Sequence, residues 1–488
     1  MPLALAARPL ALIAPRVSPQ ADRSPDGEVR RAGGGRRAIP WVLAAVFFLA
    51  YGALSVTRHL AMESTGYDLG IFEQAVRAYS RFEPPVATLK SPGFDVLGDH
   101  FHPVVALVAP LYRVFPSPVT LLLVQAALFA VSVVPVTRLA TDWGGRRSGT
   151  CVGLAYGLSW GIQQAVQFDF HEIAFAVPLL ACCVESAARR RWASAARWAL
   201  PLLLVKEDQA LMVAAIGAYI LCRGDRRTGA ALMAVAAVTG LVVMGVVIPA
   251  FSPSHAYRYA HTLHGGRPFA GLAVKAGTVE ALLAPTVFLA LRSPLVLLAV
   301  PYVAARFWAT EPHYWGTGFH YSAVLTPILS IAAADALHRS HHFLGRAAAP
   351  AILAVAVAIT MVGPWPVGPQ PLARLLSPAT WTASDRYRAA AATLALVPDG
   401  AEVAAANRLA PQLTSRCRVF RLLASPPWRR PEWAVAVTGA APFRPLAAAD
   451  ASALEGLPAA GYRLVASGGG VAVYRLALPP GRPAAPSS

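Results

Sequence analysis

The chain has 488 residues, of which 56% are hydrophobic and only 14% charged, with a mean hydropathy of +0.49. Soluble domains carry about 25% charged residues, so the composition excludes an ordinary soluble protein and indicates an α-helical polytopic membrane protein. The formal net charge of +18 does not mark a nucleic-acid binder, because the arginines fall in short clusters between apolar runs and not on one basic surface.

Residues 1–38 are interrupted by Arg8, Pro9, Pro15 and Arg16 and end in RRAGGGRR, which predicts a disordered cytoplasmic arm and no cleaved signal peptide. Residues 39–57 are long enough to span a bilayer. With the basic arm inside, the following loop, 58–103, is expected outside. Further apolar runs at 117–138, 150–166, 173–188, 198–205, 210–222, 230–251, 279–291, 295–308, 322–337 and 347–362 bring the expected number of membrane segments to about eleven. The runs 198–205 and 210–222 are short and flank the charged triplet Lys206, Glu207 and Asp208, which suggests a re-entrant or tilted pair. Four of five cysteines (Cys151, Cys182, Cys183 and Cys222) lie in apolar runs, so no disulfide framework is implied.

The turns sort by side-chain type. Arg138, Arg146, Arg147, Arg189, Arg190, Arg191, Arg223, Arg226 and Arg227 occupy the turns expected inside, as membrane insertion requires. Asp68, Glu73, Asp99, His100, His102, Asp169, His171, Glu172, Glu207, Asp208, Glu311, His313 and His320 occupy those expected outside. Insertion does not ask for these, whereas a general base, a metal site or a cation pathway does. Structural roles compete: Asp68 is placed to cap an amphipathic helix running through Ile71, Phe72, Ala75, Val76 and Tyr79, and Asp169 and Glu172 sit where a helix dipole favours acids. The triplet at 206–208 interrupts an apolar stretch and needs partners or a substrate.

The ordered phrases YDLGIFEQA, DHFHPVVALVAPLY, FDFHE, LLVKEDQAL, GFHYSAVLTPIL and NRLAPQLTSRCRVF resemble the bacterial DUF2079 family of membrane proteins over residues 40–478. That family in turn resembles the GT-C glycosyltransferases, such as protein O-mannosyltransferases and aminoarabinose transferases. The resemblance implies a multi-pass enzyme of the bacterial cell membrane that takes a sugar from a polyprenyl-phosphate carrier, with an acidic residue in the first outside loop near the reaction centre; Asp68 is the matching position. On this reading Asp68 deprotonates an acceptor hydroxyl, or a divalent metal held among Asp68, His100, His102, Asp169 and His171 orients it. Lys206 is the first candidate to meet the lipid phosphate, Arg306 and His320 come next, and Glu207 and Asp208 complete a substrate-binding group. The high histidine content departs from the GT-C pattern, in which carboxylates and arginine dominate. An ion-coupled transporter or lipid flippase, and a non-catalytic scaffold of the cell envelope, are the alternatives.

From residue 364 the character changes. A Pro-rich linker precedes a helix at 385–397, a strand AEVAAA, a short helix at NRLAPQL, strands CRVFRLL and WAVAVTG, a helix around ASALEGL and a hairpin YRLVASGGGVAVYRL turning at Gly468, Gly469 and Gly470. Residues 364–478 are therefore expected to form a small extracytoplasmic α/β domain serving as a lid, an acceptor-recognition unit or a structural cap, and 479–488 a disordered tail.

Overall fold

The structure is a computed structural model that describes residues 26–260, 266–340, 343–363, 368–382, 384–422, 430–439 and 447–477. Most of the N-terminal arm and the last residues, both expected to be disordered, lie outside them.

Helix α1 (Asp26–Leu60) carries the first apolar run; its hydrophobic stretch Arg37–Leu60 is one of three in the described residues long and apolar enough to cross a membrane. The second is a 50-residue run, Pro118–Gln167, and it is not one rod. Gly145 adopts φ 77°, ψ 178°, which breaks the helix Pro118–Gly157. Tyr156 then donates to Ser132 Oγ at 2.7 Å, and a Cβ on Gly153 would meet Thr137. The chain folds back on itself at the basic turn DWGGRR, where the positive φ suits glycine. The third run, Arg226–Phe251, passes through a π-helical turn at Val243–Val247.

Shorter apolar helices fill the remainder: Pro103–Val114, Ile173–Ala188, Gln209–Arg223, Pro294–Trp308 and Ala347–Val362. The triplet 206–208 lies, as expected, in a break between the 3-10 turn Leu200–Leu204 and helix Gln209–Arg223. The run 279–291 is different from expectation. Helix Leu272–Leu283 gives way to a 3-10 turn, and Val287 and Phe288 have φ of 50° and 58°. Pro285 removes a backbone donor at that point, and hydropathy does not register it.

At the end of the molecule opposite Glu172, Glu185 takes a two-point contact from Arg138, at 2.9 and 2.5 Å, and Arg189 bonds Asp142 at 2.5 Å. Thirteen helical residues separate Glu172 from Glu185, a rise of about 20 Å. Asp335 is likewise held by Arg339 and Ser293.

The C-terminal elements match the expected order. Strands β1 (Glu402–Ala405), β2 (Arg418–Arg421), β3 (Trp433–Val437), β4 (Tyr462–Gly468) and β5 (Val471–Leu476) form one sheet in the order β2-β1-β3-β5-β4. The first three pair in parallel and the β4–β5 hairpin adds antiparallel to β3. The segment expected to be a helix at NRLAPQL is a single 3-10 turn, Ala410–Gln412, because Pro411 supplies no donor to extend it. This sheet does not keep its core to itself. Met62, Ile71, Ala75, Ala87, Leu89 and Val96 of the first loop pack into the same hydrophobic cluster as Leu394, Val403, Leu409, Leu413, Val419 and Val473.

Candidate functional site

The loop 58–103 enters from α1 through Thr65, whose N–H donates to Asp169 Oδ2 at 3.0 Å. Gly66 N–H then donates to the Asn407 carbonyl at 2.7 Å and Tyr67 N–H to Asn407 Oδ1 at 2.9 Å. A Cβ on Gly66 would lie 2.9 Å from that of Ala410, so only glycine permits this approach. Held on one side by Asn407, the chain turns sharply at Asp68, with φ 65° and ψ −79°. That is close to γ-turn geometry, rare for a residue with a Cβ and costing about 1–3 kcal/mol. Helix α2 (Ile71–Ser80) starts immediately after.

Among the described residues the Asp68 carboxylate has neither a hydrogen-bond donor nor an ion-pair partner. Burial pushes it above the ordinary aspartate value, while the charges of His171 and Lys206 pull it down and that of Glu172 pushes it up. A partly buried acid on strained backbone with open acceptor sites is suited to receive a proton from a bound hydroxyl.

Glu172 is the fixed centre beside it. Its carboxylate lies 2.9 Å from Lys206 Nζ and 2.8 Å from His171 Nδ1, distances of ion pairing without hydrogen-bond alignment. His171 stacks on His320 with ring centroids 3.5 Å apart. Phe72 of α2 lies between His102 and His171, at 5.3 and 5.5 Å. His102 is buried with its Nδ1 lacking a partner, and burial takes it down to about 4, so it is a neutral ring at pH 7. His320 Nδ1 is also buried and unpartnered. Among the described residues these two imidazole nitrogens have no hydrogen-bond partner, an exception among buried polar groups.

Glu207 joins the triplet to DHFHP. It bonds His100 Nδ1 at 2.6 Å, accepts from Phe101 N at 3.1 Å and takes Tyr257 OH at 3.3 Å. His100 stacks on Tyr259, whose hydroxyl donates to Asp99; Lys90 bonds the other oxygen of Asp99 at 2.5 Å. Despite its burial Asp99 is brought down to about 2 by His100 and Lys90. Asp208 is exposed and takes a hydrogen bond from Gln209.

Arg306 closes the far side. It is 6% exposed and donates to the carbonyls of Tyr314 and Gly316 and to Ser322 Oγ, at 3.0, 2.9 and 3.1 Å. Tyr321 presents its ring 5.7 Å away. All these acceptors are neutral, and among the described residues Arg306 meets no carboxylate. A buried guanidinium without a counter-ion is a ready receptor for an anion.

The structure thus brings Asp68, His171, His320, Lys206 and the loop of Arg306 into one region, and engages the other residues singled out from the sequence. Asp169 lies 3.2 Å from Arg58 and fastens the start of the loop. His100, His102, Asp169 and His171 each face a different partner, and among the described residues no three His, Cys, Asp or Glu side chains converge as a metal set. Sequence reading missed Asn407, because a clamp 340 positions from its target leaves no local pattern. For Glu172 the sequence offers only a helix-start role, and Tyr321 goes unmarked, although FDFHE and GFHYS are both conspicuous.

A family model described as "Predicted membrane protein (DUF2079)" matches residues 58–436. Among solved structures the fold is similar to that of ArnT from Cupriavidus metallidurans, determined bound to undecaprenyl phosphate. The TM-score is 0.55 at 16% identity, with 88% of this chain and 97% of that one covered. Comparison with curated proteins finds no match.

Proposed function

The chain belongs to the DUF2079 family of predicted membrane proteins, and from that premise we propose that it is a GT-C-like glycosyltransferase working at the extracytoplasmic face of a bacterial cell membrane. Its donor is a polyprenyl-phosphate-linked sugar and its acceptor carries a hydroxyl. The fold it shares with a protein that holds undecaprenyl phosphate supports the lipid class. The unpartnered Asp68 carboxylate on its strained turn carries the chemical assignment.

In the proposed reaction the acceptor oxygen bonds to the anomeric carbon as the bond from that carbon to the phosphate oxygen breaks. Asp68 takes the acceptor proton, and the polyprenyl phosphate leaves with the bonding electrons. The charge it gains needs a cation in a water-poor setting. Arg306 suits this better than Lys206, because Lys206 is already neutralised by Glu172 at 2.9 Å. Lys206 instead holds Glu172, which orients His171 and through it His320. The proposed step draws on no divalent metal: His100, Asp169 and His171 are engaged by Glu207, Arg58 and Glu172, and His102 lies edge-on to Phe72 with its Nδ1 unpartnered.

The test is transfer of radiolabelled sugar from a panel of polyprenyl-phosphate donors in proteoliposomes. Asp68→Asn should reduce incorporation to background while the protein still binds undecaprenyl phosphate; incorporation at the wild-type rate would remove Asp68 from the chemistry. Arg306→Gln should weaken undecaprenyl phosphate binding by roughly tenfold or more, the scale of one charge-assisted contact.

A further inference from the structure

A second basic recess lies away from Arg306, between the first loop and the C-terminal domain. This cleft of ≈ 410 Å³ is lined by Arg77, Arg81 and Arg113 together with Ser80, Tyr112 and Ser415. Among the described residues none of the three arginines has a carboxylate partner, whereas Arg58, Arg138, Arg339, Arg374 and Arg416 each do. Arg77 Nη1 donates to the Thr414 and Cys417 carbonyls at 2.9 and 2.8 Å, which fixes that guanidinium in the wall. Arg113 lies over the Phe82 ring at 5.6 Å. The acid nearest this wall, Glu73, is fully buried and has its oxygens taken by Tyr112 and Thr414.

The segments that carry the recess also leave apolar side chains uncovered. Phe82, Val114 and Phe115, which adjoin Arg81 and Arg113 in the chain, are 89%, 67% and 61% exposed, and Leu107 of the preceding 3-10 turn Pro103–Val108 is 71% exposed. Large exposed hydrophobics beside three unneutralised guanidiniums form a surface made for the membrane interface, with rings and aliphatic chains in the acyl region and arginines at the phosphate level. Guanidinium forks match phosphate oxygens in pairs, and the Ser415 hydroxyl can donate to a phosphodiester, that of Ser80 being given to the Arg77 carbonyl at 2.7 Å.

We propose that this cleft binds the phosphodiester headgroup of an anionic membrane lipid, seating the shoulder of Pro103–Val114 in the bilayer surface. The inference does not rest on sugar transfer. It is tested on the full-length protein in a neutral detergent, by following thermal unfolding while titrating a short-chain phosphatidylglycerol, the matching phosphatidylcholine, or glycerol phosphate. Phosphatidylglycerol should stabilise with a saturating midpoint, and the Arg81→Gln/Arg113→Gln variant should need roughly thirty-fold more lipid, as expected for the loss of two interfacial cations. Removing two exposed arginines elsewhere, with Arg386→Gln/Arg463→Gln, should leave the midpoint unchanged. If the double variant is not recovered folded, Arg113→Gln alone should shift the midpoint by about fivefold. Equal stabilisation by both lipids, or an unshifted midpoint in the variants, would overturn the proposal. Stabilisation by glycerol phosphate at the same concentration as the lipid would keep a phosphate site but overturn the lipid headgroup as its occupant.

Discussion

Glu73 offers a test that needs no substrate. It sits fully buried on α2, accepting from Tyr112 OH at 2.9 Å and bonded to Thr414 of the C-terminal domain, with Arg77 the cation acting on it. Burial lifts this carboxyl from 4.5 to about 7, against the opposing pull of its two hydrogen bonds and Arg77. A carboxyl raised on folding keeps its proton in the native state while the unfolded chain loses it. Stability is therefore unaffected below the unfolded value, falls as pH rises between about 4.5 and 7, and stays reduced above, by about 3 kcal/mol for a displacement of this size. Glu73→Gln keeps the shape and removes the titration. The variant should match wild type at pH 4.5 and exceed it at pH 8, and the difference between the two proteins cancels every other titrating group. The assay is denaturant-induced unfolding of purified protein in detergent at pH 4.5, 6, 7 and 8, followed by tryptophan emission. Parallel pH profiles for the two proteins would refute the reasoning, and a variant less stable at pH 8 would show that Glu73 is held ionised.

Asn407→Ala removes the acceptor for Tyr67 N–H and frees the turn that carries Asp68. It should cost about 1 kcal/mol of stability yet lower turnover at least tenfold with little change in lipid affinity, measured in the proteoliposome assay. Leu409→Ala opens a cavity in the core shared by loop and sheet and should destabilise by about 3 kcal/mol; hydrogen exchange should then quicken in α2 as well as in β1, and exchange confined to the sheet would contradict a common core. Chelation with EDTA should leave thermal stability and undecaprenyl phosphate binding unchanged, whereas a loss restored by Mn²⁺ would return His100, His102, Asp169 and His171 to a metal site.

What could be read from the sequence was the local part of the fold. The β-hairpin at 462–476, the parallel strands before it and the break at 206–208 follow from alternation, glycine turns and a charged triplet, all visible within a dozen residues. The run 279–291 was misread because hydropathy averages over Pro285 and is blind to the left-handed backbone at Val287 and Phe288. At the site, the carboxylates and imidazoles of separate turns do gather, but their pairing is set by packing over long separations. Glu207 meets His100 across 107 positions, and no periodicity shows that Lys206 already has Glu172 while Arg306, among the described residues, has carbonyls, a hydroxyl and a ring but no carboxylate. Ranking two cations as phosphate receptors needs their neighbours, and neighbours are a tertiary property.

The core shared by loop and sheet also sets a timetable. The loop is made within the first quarter of the chain, but Leu409, Leu413 and Val473, against which it packs, are made near the end. Until they arrive, Ile71, Ala75 and Leu89 have no partner surface and the Gly66–Tyr67 backbone has no Asn407 to bind. Long-range closures of this kind come late in folding. A nascent or truncated chain can thus be threaded through the membrane with its spans in place and still lack the bend at Asp68, so any chemistry performed there is withheld until synthesis is complete.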